Sequence, residues 1–294
     1  MKIEEYHALG TARRNKRKHP QLRFSNSQLA QLDRRGPEYF EGAFLADPQP
    51  WPVTSTKPQT VGQVFHTMAL EGSQLNEVAT VVPDDVLTSN GQRRGKKYDA
   101  WLDGVHTPYT ITAAEEQAVK QMVDAVYRSP AAANLLGLNV IGTETTIFYD
   151  HKPSGLKLRA RPDLLVGDRG RVIVVDLKSS RAPRPRDWPR EVAKWGYHRQ
   201  AAFYCDAVEA LGYDVDCFRF VTVDNEPPYE CLVYELPPED VEQGRSENAR
   251  LLDELASRLR NDDWRTADGV LQLGLPAWAK ERVELIVDGE TIEI

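Results

Sequence analysis

Two acidic residues and a lysine occupy positions in the chain where a pair of strands could bring them together. Twelve residues separate Asp163 from Asp176, and Lys178 follows two positions later. Between them, Gly167-Asp168-Arg169-Gly170 is typical of a tight hairpin turn. With Asp168 and Arg169 as the loop, Asp163 should face Val174 and have Asp176 as its diagonal neighbour. A four-residue loop keeps this arrangement, whereas a three-residue loop turns the two acids to opposite faces.

This arrangement would suit a divalent metal ion. Diagonal neighbours lie roughly 7–8 Å apart between Cα atoms, so that two carboxylates can reach one hard cation. Mg²⁺ and Mn²⁺ prefer oxygen ligands and retain waters that can attack a phosphodiester. The alternative is an amphipathic hairpin with surface ion pairs. Against it, the segment RVIVVDLK is apolar on both faces up to Asp176, where a carboxylate needs a partner or a metal ion.

Two helical segments carry further polar side chains. Gln200 and Tyr204 are four residues apart and share one helix face with Tyr197, from which they could bind a phosphate or orient the lysine. An ordinary amphipathic helix explains these residues equally well. His66 follows Gly62 in the pattern G-x-x-x-H, beside an apolar stripe. A lone helical histidine is usually structural, so neither segment indicates a function by itself.

Taken together, these motifs resemble those of a known group of enzymes. PD-x12-D-x-K is similar to the signature of the PD-(D/E)xK nuclease superfamily, and Q-x-x-x-Y is similar to the extra motif of its RecB-like branch. The segments SNSQLAQLDRRGPEYF, VGQVFH and LGLPAW look like those of the RecE type, the exodeoxyribonuclease VIII-like exonucleases of phages and prophages. The basic loop 93–97 and the acidic C-terminal tail match no motif of that type.

The resemblance assigns roles to residues of this sequence. It implies that Lys178 activates the attacking water and that Gln200 and Tyr204 fix the scissile phosphate. It also implies a Mg²⁺ or Mn²⁺ site formed by His66, Asp163, Asp176 and the backbone carbonyl of Leu177. Glu144 precedes the PD motif, as a glutamate does in many members. Its role stays open between a second-metal ligand, a partner for Lys178 or Arg161, and an ordinary strand-face residue.

The resemblance also implies an activity. Enzymes of the RecE type digest one strand of double-stranded DNA from its 5′ end without ATP, and the 3′ single strands that remain serve recombination by annealing. The sequence contains no G-x-x-x-x-G-K-[ST], so no ATP-driven motor is indicated. The implied partners are DNA ends, further subunits in a homo-oligomeric ring, and a single-strand annealing protein of the RecT type. The implied location is the cytoplasm of a bacterium, with a phage or prophage origin.

Two alternatives remain. One is a RecB-like nuclease that cuts single strands or DNA structures in repair or CRISPR adaptation, although its iron–sulfur branch is disfavoured because the chain has only three cysteines. The other is a non-catalytic DNA-binding protein on the same fold. Its mark would be the loss of an acid or the lysine, and neither is lost.

Hydrophobic periodicity predicts the elements that position these residues. From Val140 the period changes from about 3.6 to 2, which predicts helices followed by strands and hence an α/β or α+β fold. The resemblance specifies a restriction-endonuclease-like core with a mixed central sheet flanked by helices. The expected elements are β-rich runs over 140–150, 156–166 and 171–180, a helix at about 190–211, a strand pair at 216–225 and 229–237, and a closing helix over 238–260.

Charge is distributed unevenly along the 294 residues, whose net charge is −7. Residues 224–294 have 18 Asp and Glu against 7 Lys and Arg, whereas residues 1–223 have 26 against 30. The basic stretches 181–199 and 93–97 could meet phosphates, or could simply be solvated. We expect a flexible basic arm over 1–20 and one nuclease domain over 21–294, with its catalytic core at about 60–236 and an acidic tail over 237–294. No segment reaches the ~18 apolar residues of a membrane helix, and no secretory signal is evident.

Overall fold

The structure, a computed structural model, describes residues 22–46, 48–51, 57–267, 269–275, 284–287 and 290–293. The expected basic arm over 1–20 lies outside the described residues. The chain divides into two units, 1–264 and 265–294, so one domain over 21–294 stays a prediction. Within the second unit, an antiparallel pair joins β10 (Glu284–Val287) and β11 (Glu290–Glu293).

The first unit contains helices and strands in alternating groups. The helices are α1 (Asn26–Arg35), α2 (Pro37–Phe40, continued by a π turn over Glu41–Leu45), α3 (Lys57–Glu71), α4 (Leu75–Val78), α5 (Lys96–Leu102), α6 (Ala113–Arg128), α7 (Pro130–Leu136), α8 (Trp188–Trp195), α9 (Tyr197–Ala210) and α10 (Pro238–Asn261). The strands are β1 (Ala79–Val81), β2 (Tyr109–Ile111), β3 (Asn139–Thr143), β4 (Ile147–His151), β5 (Leu156–Ala160), β6 (Leu164–Asp168), β7 (Arg171–Ser180), β8 (Val215–Asp224) and β9 (Cys231–Leu236). A 3₁₀ turn covers Asp84–Val86.

The central sheet is mixed, as predicted. Its strand order is β3-β6-β7-β8-β9, with β7 and β8 parallel and the other neighbours antiparallel. Alternate residues of β7 enter two different cores: Val174 packs with Leu29, Phe203 and Leu252 on one face, whereas neighbouring β7 side chains pack with helices α3, α6 and α7 on the other. This explains why the segment before Asp176 is apolar on both faces, since helices cover both sides of the strand.

Each of the first two β-rich runs is broken in the middle, contrary to the prediction of continuous strands. Thr143 ends β3 and Ile147 begins β4, while Ala160 ends β5 and Leu164 begins β6. β4 and β5 then pair with each other as a separate two-stranded sheet. Pro162 in the second break has no N–H to donate to a ladder. The two breaks lie side by side, because the Glu144 N–H donates to the Asp163 carbonyl at 2.8 Å.

The hairpin between β6 and β7 has a different loop from the one predicted. Asp168 pairs with Arg171, so the two loop residues are Arg169 and Gly170. Both have positive φ, of 49° and 86°, as a type I′ turn requires, and glycine adopts this conformation readily. The expected pairing of Asp163 with Val174 is therefore wrong by two positions. Since a shift of two keeps side chains on the same face, Asp163 and Asp176 still point to one side.

The predicted helix over about 190–211 is two helices. Gly196 separates α8 from α9 with a left-handed backbone, at φ 68° and ψ 38°. This conformation ends one helix and redirects the chain into the next. The closing helix expected over 238–260 is α10 (Pro238–Asn261), which confirms that prediction.

Candidate active site

The two acids stand next to each other on the hairpin. The last pair of the β6–β7 ladder toward the site joins Leu164 with Val175, and Asp163 and Asp176 are each one residue further along. Asp163 Oδ2 accepts a hydrogen bond from the Leu177 N–H at 2.8 Å. Both acids are buried, and Asp176 has 0% of its surface exposed. They are therefore closer than the diagonal arrangement expected from the sequence.

Lys178 lies against one oxygen of Asp176. Its Nζ forms an ion pair with Asp176 Oδ2, while Asp176 Oδ1 has no hydrogen-bond donor among the described residues. A buried carboxylate oxygen without a donor is costly, and a bound cation removes that cost. The potential metal ligands at this site are mainly carboxylate oxygens, which Mg²⁺ and Mn²⁺ prefer. The residues present therefore fit a divalent cation.

His66 and Glu144 lie on the other side of Asp163. His66 Nδ1 is 3.4 Å from Asp163 Oδ2. One potential ligand atom from each of His66, Glu144 and Asp163 lies within 4.8 Å of the other two. Asp176 does not belong to this mutual group, because its carboxylate faces Lys178. The structure thus places the residues for which the resemblance implied metal binding in one region, and adds Glu144.

Burial raises the pKa values of the acids. It raises the pKa of Asp176 to about 6, although Lys178 acts in the opposite direction. It raises the pKa of Glu144 to about 7, helped by the charge of Asp163 and opposed by Arg161. The pKa of Asp163 is also raised by burial, against the effects of Lys178 and the Leu177 N–H. Acids with pKa values near neutral pH release their protons readily when a metal cation binds to them.

The two basic groups shift in opposite directions. Burial lowers the pKa of His66, and so does the charge of Lys178, so that His66 is neutral at pH 7 and available as a ligand. Burial also lowers the pKa of Lys178, but the carboxylates of Asp176 and Asp163 outweigh it and the net pKa is raised. Lys178 therefore carries its proton in the cation-free protein.

Arg161 holds Glu144 in place. Arg161 Nε donates to Glu144 Oε2 at 2.6 Å, and both side chains are largely buried. Glu144 has a left-handed backbone, with φ 47°, in the connection between β3 and β4. It is therefore not a strand-face residue, and of the three roles left open the structure supports the pair with Arg161 and a place beside the metal-binding group. The sequence alone did not place Glu144, because nothing in it indicated the break in the strand.

Helix α9 covers the lysine with an aromatic ring. The Nζ of Lys178 is 4.9 Å from the ring centroid of Tyr197, a cation–π contact. One turn further along α9, Gln200 Nε2 donates to the Tyr204 hydroxyl at 3.0 Å. Gln200 and Tyr204 thus interact as their spacing predicted, while the residue of this helix that contacts Lys178 is Tyr197. Binding of a phosphate by Gln200 and Tyr204 stays a prediction.

Many basic side chains of the two stretches that could contact phosphates, 93–97 and 181–199, form ion pairs within the protein. In the loop 93–97, Arg93 pairs with Glu115 and Lys97 with Asp85. Between 181 and 199, the basic side chains pair with acids, as Arg181–Glu226, Arg184–Glu230, Arg186–Asp187, Arg190–Asp187, Lys194–Glu191 and Arg199–Asp33. The Arg93 and Arg199 side chains are largely buried. The other pairs are exposed and contribute about 0–1 kcal/mol each, so they can exchange for phosphates at little cost.

A family model describes most of the chain. It is the model of a PDDEXK-like domain of unknown function, DUF3799, and it matches residues 25–269. No curated protein matches the sequence significantly. In the part of the chain that the structure describes, no helix is long and apolar enough to cross a membrane.

Two exonucleases are among the solved structures that match this chain. A candidate exonuclease from Eubacterium rectale has a TM-score of 0.55 at 13% identity, over 94% of this chain and 96% of that chain. At this identity the likeness shows a common fold alone. An alkaline exonuclease from Laribacter hongkongensis is 19% identical over 68% of this chain and 95% of that chain, with a TM-score of 0.30. That score is too low to support an argument.

Proposed function

Because the chain belongs to the DUF3799 family of PDDEXK-like domains, we propose that it is a metal-dependent nuclease that degrades DNA from its ends. In finer detail, the proposed enzyme is an ATP-independent exodeoxyribonuclease that acts in the 5′ to 3′ direction on double-stranded DNA. Its products would be 3′ single strands, which suit recombination by annealing. The RecE-type motifs in the sequence support this finer part.

One observation carries the nuclease proposal. The Asp176 carboxylate is fully buried, has Lys178 on one oxygen and no donor among the described residues on the other, and stands beside Asp163. A structural ion pair would leave the second oxygen without a partner in the protein interior. A divalent cation gives that oxygen a partner and explains why the lysine lies beside the carboxylate. In the PDDEXK fold, this combination is expected of a site for phosphodiester hydrolysis.

The residues of the chain have separate tasks in the proposed reaction. His66, Asp163, Asp176 and the Leu177 carbonyl would hold Mg²⁺ or Mn²⁺, with Glu144 beside them. When bound, the cation supplies a Lewis acid for the phosphate and lowers the pKa of a water molecule.

Lys178 keeps its proton at Nζ. From there it would orient the attacking water and balance the negative charge that develops on the phosphate oxygens. The proton that the water loses passes to solvent, and the leaving oxygen takes up a proton from solvent. The Tyr197 ring holds the ammonium group on its other side. Gln200 and Tyr204 on α9 would orient the scissile phosphate, so that the P–O bond that breaks lies opposite the attacking water.

The test uses a linear duplex labelled at one 5′ end, with Mg²⁺ and without ATP. We expect short labelled products from the parent protein and a loss of activity of about 10²-fold or more in Asp176→Asn, since even residues that only support metal ligands contribute 10–100-fold. Asp168→Asn is the matched control: this aspartate is at the other end of β6 beside the turn, where it forms an ion pair of 4.0 Å with Arg169.

The outcomes separate the alternatives. Full activity in Asp176→Asn would contradict the proposed site. Cleavage of single strands or branched DNA in preference to duplex ends would favour a repair-type nuclease. Binding without cleavage in the parent would favour a DNA-binding protein on this fold. A homo-oligomeric ring and a RecT-type annealing partner belong to the proposal by resemblance, and light scattering of the purified protein measures the first directly.

A further inference from the structure

An exposed tryptophan lies at the junction of α8 and α9. Trp195, the last residue of α8, has 42% of its surface exposed, whereas Trp188 at the start of the same helix is buried. The Trp195 indole N–H donates to Glu191 Oε2 at 2.6 Å, which fixes the orientation of the ring. The ring is therefore both held in one orientation and accessible from solvent.

Two cationic groups surround this ring. The Arg34 guanidinium is 5.0 Å and the Lys194 ammonium 4.8 Å from the indole centroid. Arg34 is held there because its Nη2 donates to the Trp195 carbonyl at 2.6 Å, at the C-terminal end of α8. Glu191, which binds both Lys194 and the indole N–H, is the acidic neighbour. The surface thus combines a planar ring with positive charge.

The surface adjoins the candidate active site. Trp195 precedes Tyr197 by two residues, so their Cα atoms are at most roughly 7.6 Å apart. The Tyr197 ring contacts Lys178. Burial is the main cause that raises the pKa of the Tyr197 hydroxyl, and the charges of Lys178, Glu191 and Arg34 all act on the same group. Tyr197 therefore contacts the lysine of the site and is two residues from Trp195 in the chain.

We propose that Trp195, with Arg34 and Lys194, stacks a base of single-stranded DNA next to the site. A single strand presents exposed base faces together with phosphates, which fit an aromatic ring flanked by cations. In a duplex the base faces are stacked on each other and are not accessible to the ring. This inference rests on the proposed function. It adds that the DNA strand is unpaired when it reaches Lys178, and that one of its bases is held by stacking on Trp195.

Binding to oligonucleotides in EDTA tests the inference without cleavage. The probes are a fluorescein-labelled oligo(dT), the matching RNA and a duplex with covalently closed ends, measured by anisotropy with the full chain. We expect Trp195→Ala to weaken oligo(dT) binding about fivefold or more, Trp195→Phe to retain most of it, and the closed duplex to be affected little. Tyr213→Ala is the matched control, because Tyr213 is equally exposed at 42% but follows the far end of α9.

The possible failures are distinguishable. Equal oligo(dT) binding by Trp195→Ala and the parent, with cleavage by the parent intact, would overturn this inference alone and leave the surface to a protein partner. An equal loss for the closed duplex would show that the tryptophan binds no single strand in particular, and would overturn it too. A parent that neither binds oligo(dT) nor cleaves DNA would overturn the proposed function together with the inference. Tighter binding of RNA than of DNA would contradict the assignment to DNA.

Discussion

The carboxyl groups of Asp163, before β6, and Asp176, in β7, are buried. Asp176 has 0% exposure, and burial is the first cause of the raised pKa values of both Asp176 and Glu144. Such groups bind a proton or a metal ion more readily than exposed acids do. The same burial lowers the pKa of His66 and keeps the ring neutral. All these shifts favour a cation at neutral pH.

The raised pKa values predict pH-dependent metal binding. Above about pH 7 the acids are ionised, whereas below pKa values of about 7 for Glu144 and about 6 for Asp176 protons compete with the metal ion. Apparent Mn²⁺ affinity should therefore rise from pH 5.5 to pH 8, by up to about tenfold per pH unit for each proton displaced. Calorimetry in buffers of different ionisation enthalpy measures both the affinity and the released protons.

A matched variant assigns the upper step of this profile. Glu144→Gln should remove the change near pH 7 and leave the change near pH 6, because Asp176 still titrates. Mn²⁺ binding that stays constant between pH 5.5 and pH 8 in the parent would contradict the account of these acids.

At the scale of single residues, the motif spacing was enough to place much of the site. Asp163, Asp176 and Lys178 lie together because a two-residue shift of the hairpin preserves which face each side chain points to. The sequence left the pair between Arg161 and Glu144 as one of several alternatives. That pair exists because two strands break at the same level, a tertiary feature that local patterns do not encode.

At the scale of elements, the close packing of α9 on α10 positions the residues that face Lys178. A Cβ added at Gly244 would lie 2.3 Å from the His198 carbonyl oxygen of α9. Asn248 Nδ2 also donates to the Arg199 carbonyl at 2.8 Å, on the same side of α10. This contact is possible only because position 244 has no side chain.

Substitution of Gly244 tests this packing. Gly244→Ala should lower the free energy of unfolding by about 1–2 kcal/mol, because the overlap with the backbone of α9 outweighs the roughly 1 kcal/mol that alanine gains over glycine in a helix. Denaturant titration measures the change. Gly104→Ala is the control, since its Cβ would make only an ordinary contact of 3.6 Å. An unfolding free energy equal to that of the parent would show that α9 and α10 are not in close contact at this point.

The elements differ in how well their sequences predicted them. Capping boxes mark the starts of α1 at Ser25 and of α6 at Thr112, and such signals can be read from the sequence because each acts within four residues. The breaks at Gly196 and between β3 and β4 were missed. A glycine within an apolar pattern is compatible with a continuous helix or with a turn, and only packing against other elements decides between them.

At the scale of the whole molecule, helices cover both faces of the central sheet of the first unit. The candidate site lies where the chain passes from the smaller sheet into β6, beside β7. The fold class could be predicted because the hydrophobic period changes from about 3.6 to 2 at Val140, and because the motifs resemble those of enzymes with a mixed central sheet. The division into two units at position 264 was not predicted, although residues 261–269, NDDWRTADG, are rich in polar, turn-forming residues.

The proposed nuclease activity depends on a metal ion bound where β6 begins, beside β7. Anomalous diffraction from crystals soaked in Mn²⁺ tests this most directly. We predict a strong peak in contact with the carboxylates of Asp163 and Asp176, and no such peak in Asp176→Asn crystals soaked in the same way. A Mn²⁺ peak elsewhere in the protein, with Lys178 still paired to Asp176 and no metal between the two acids, would contradict the central claim.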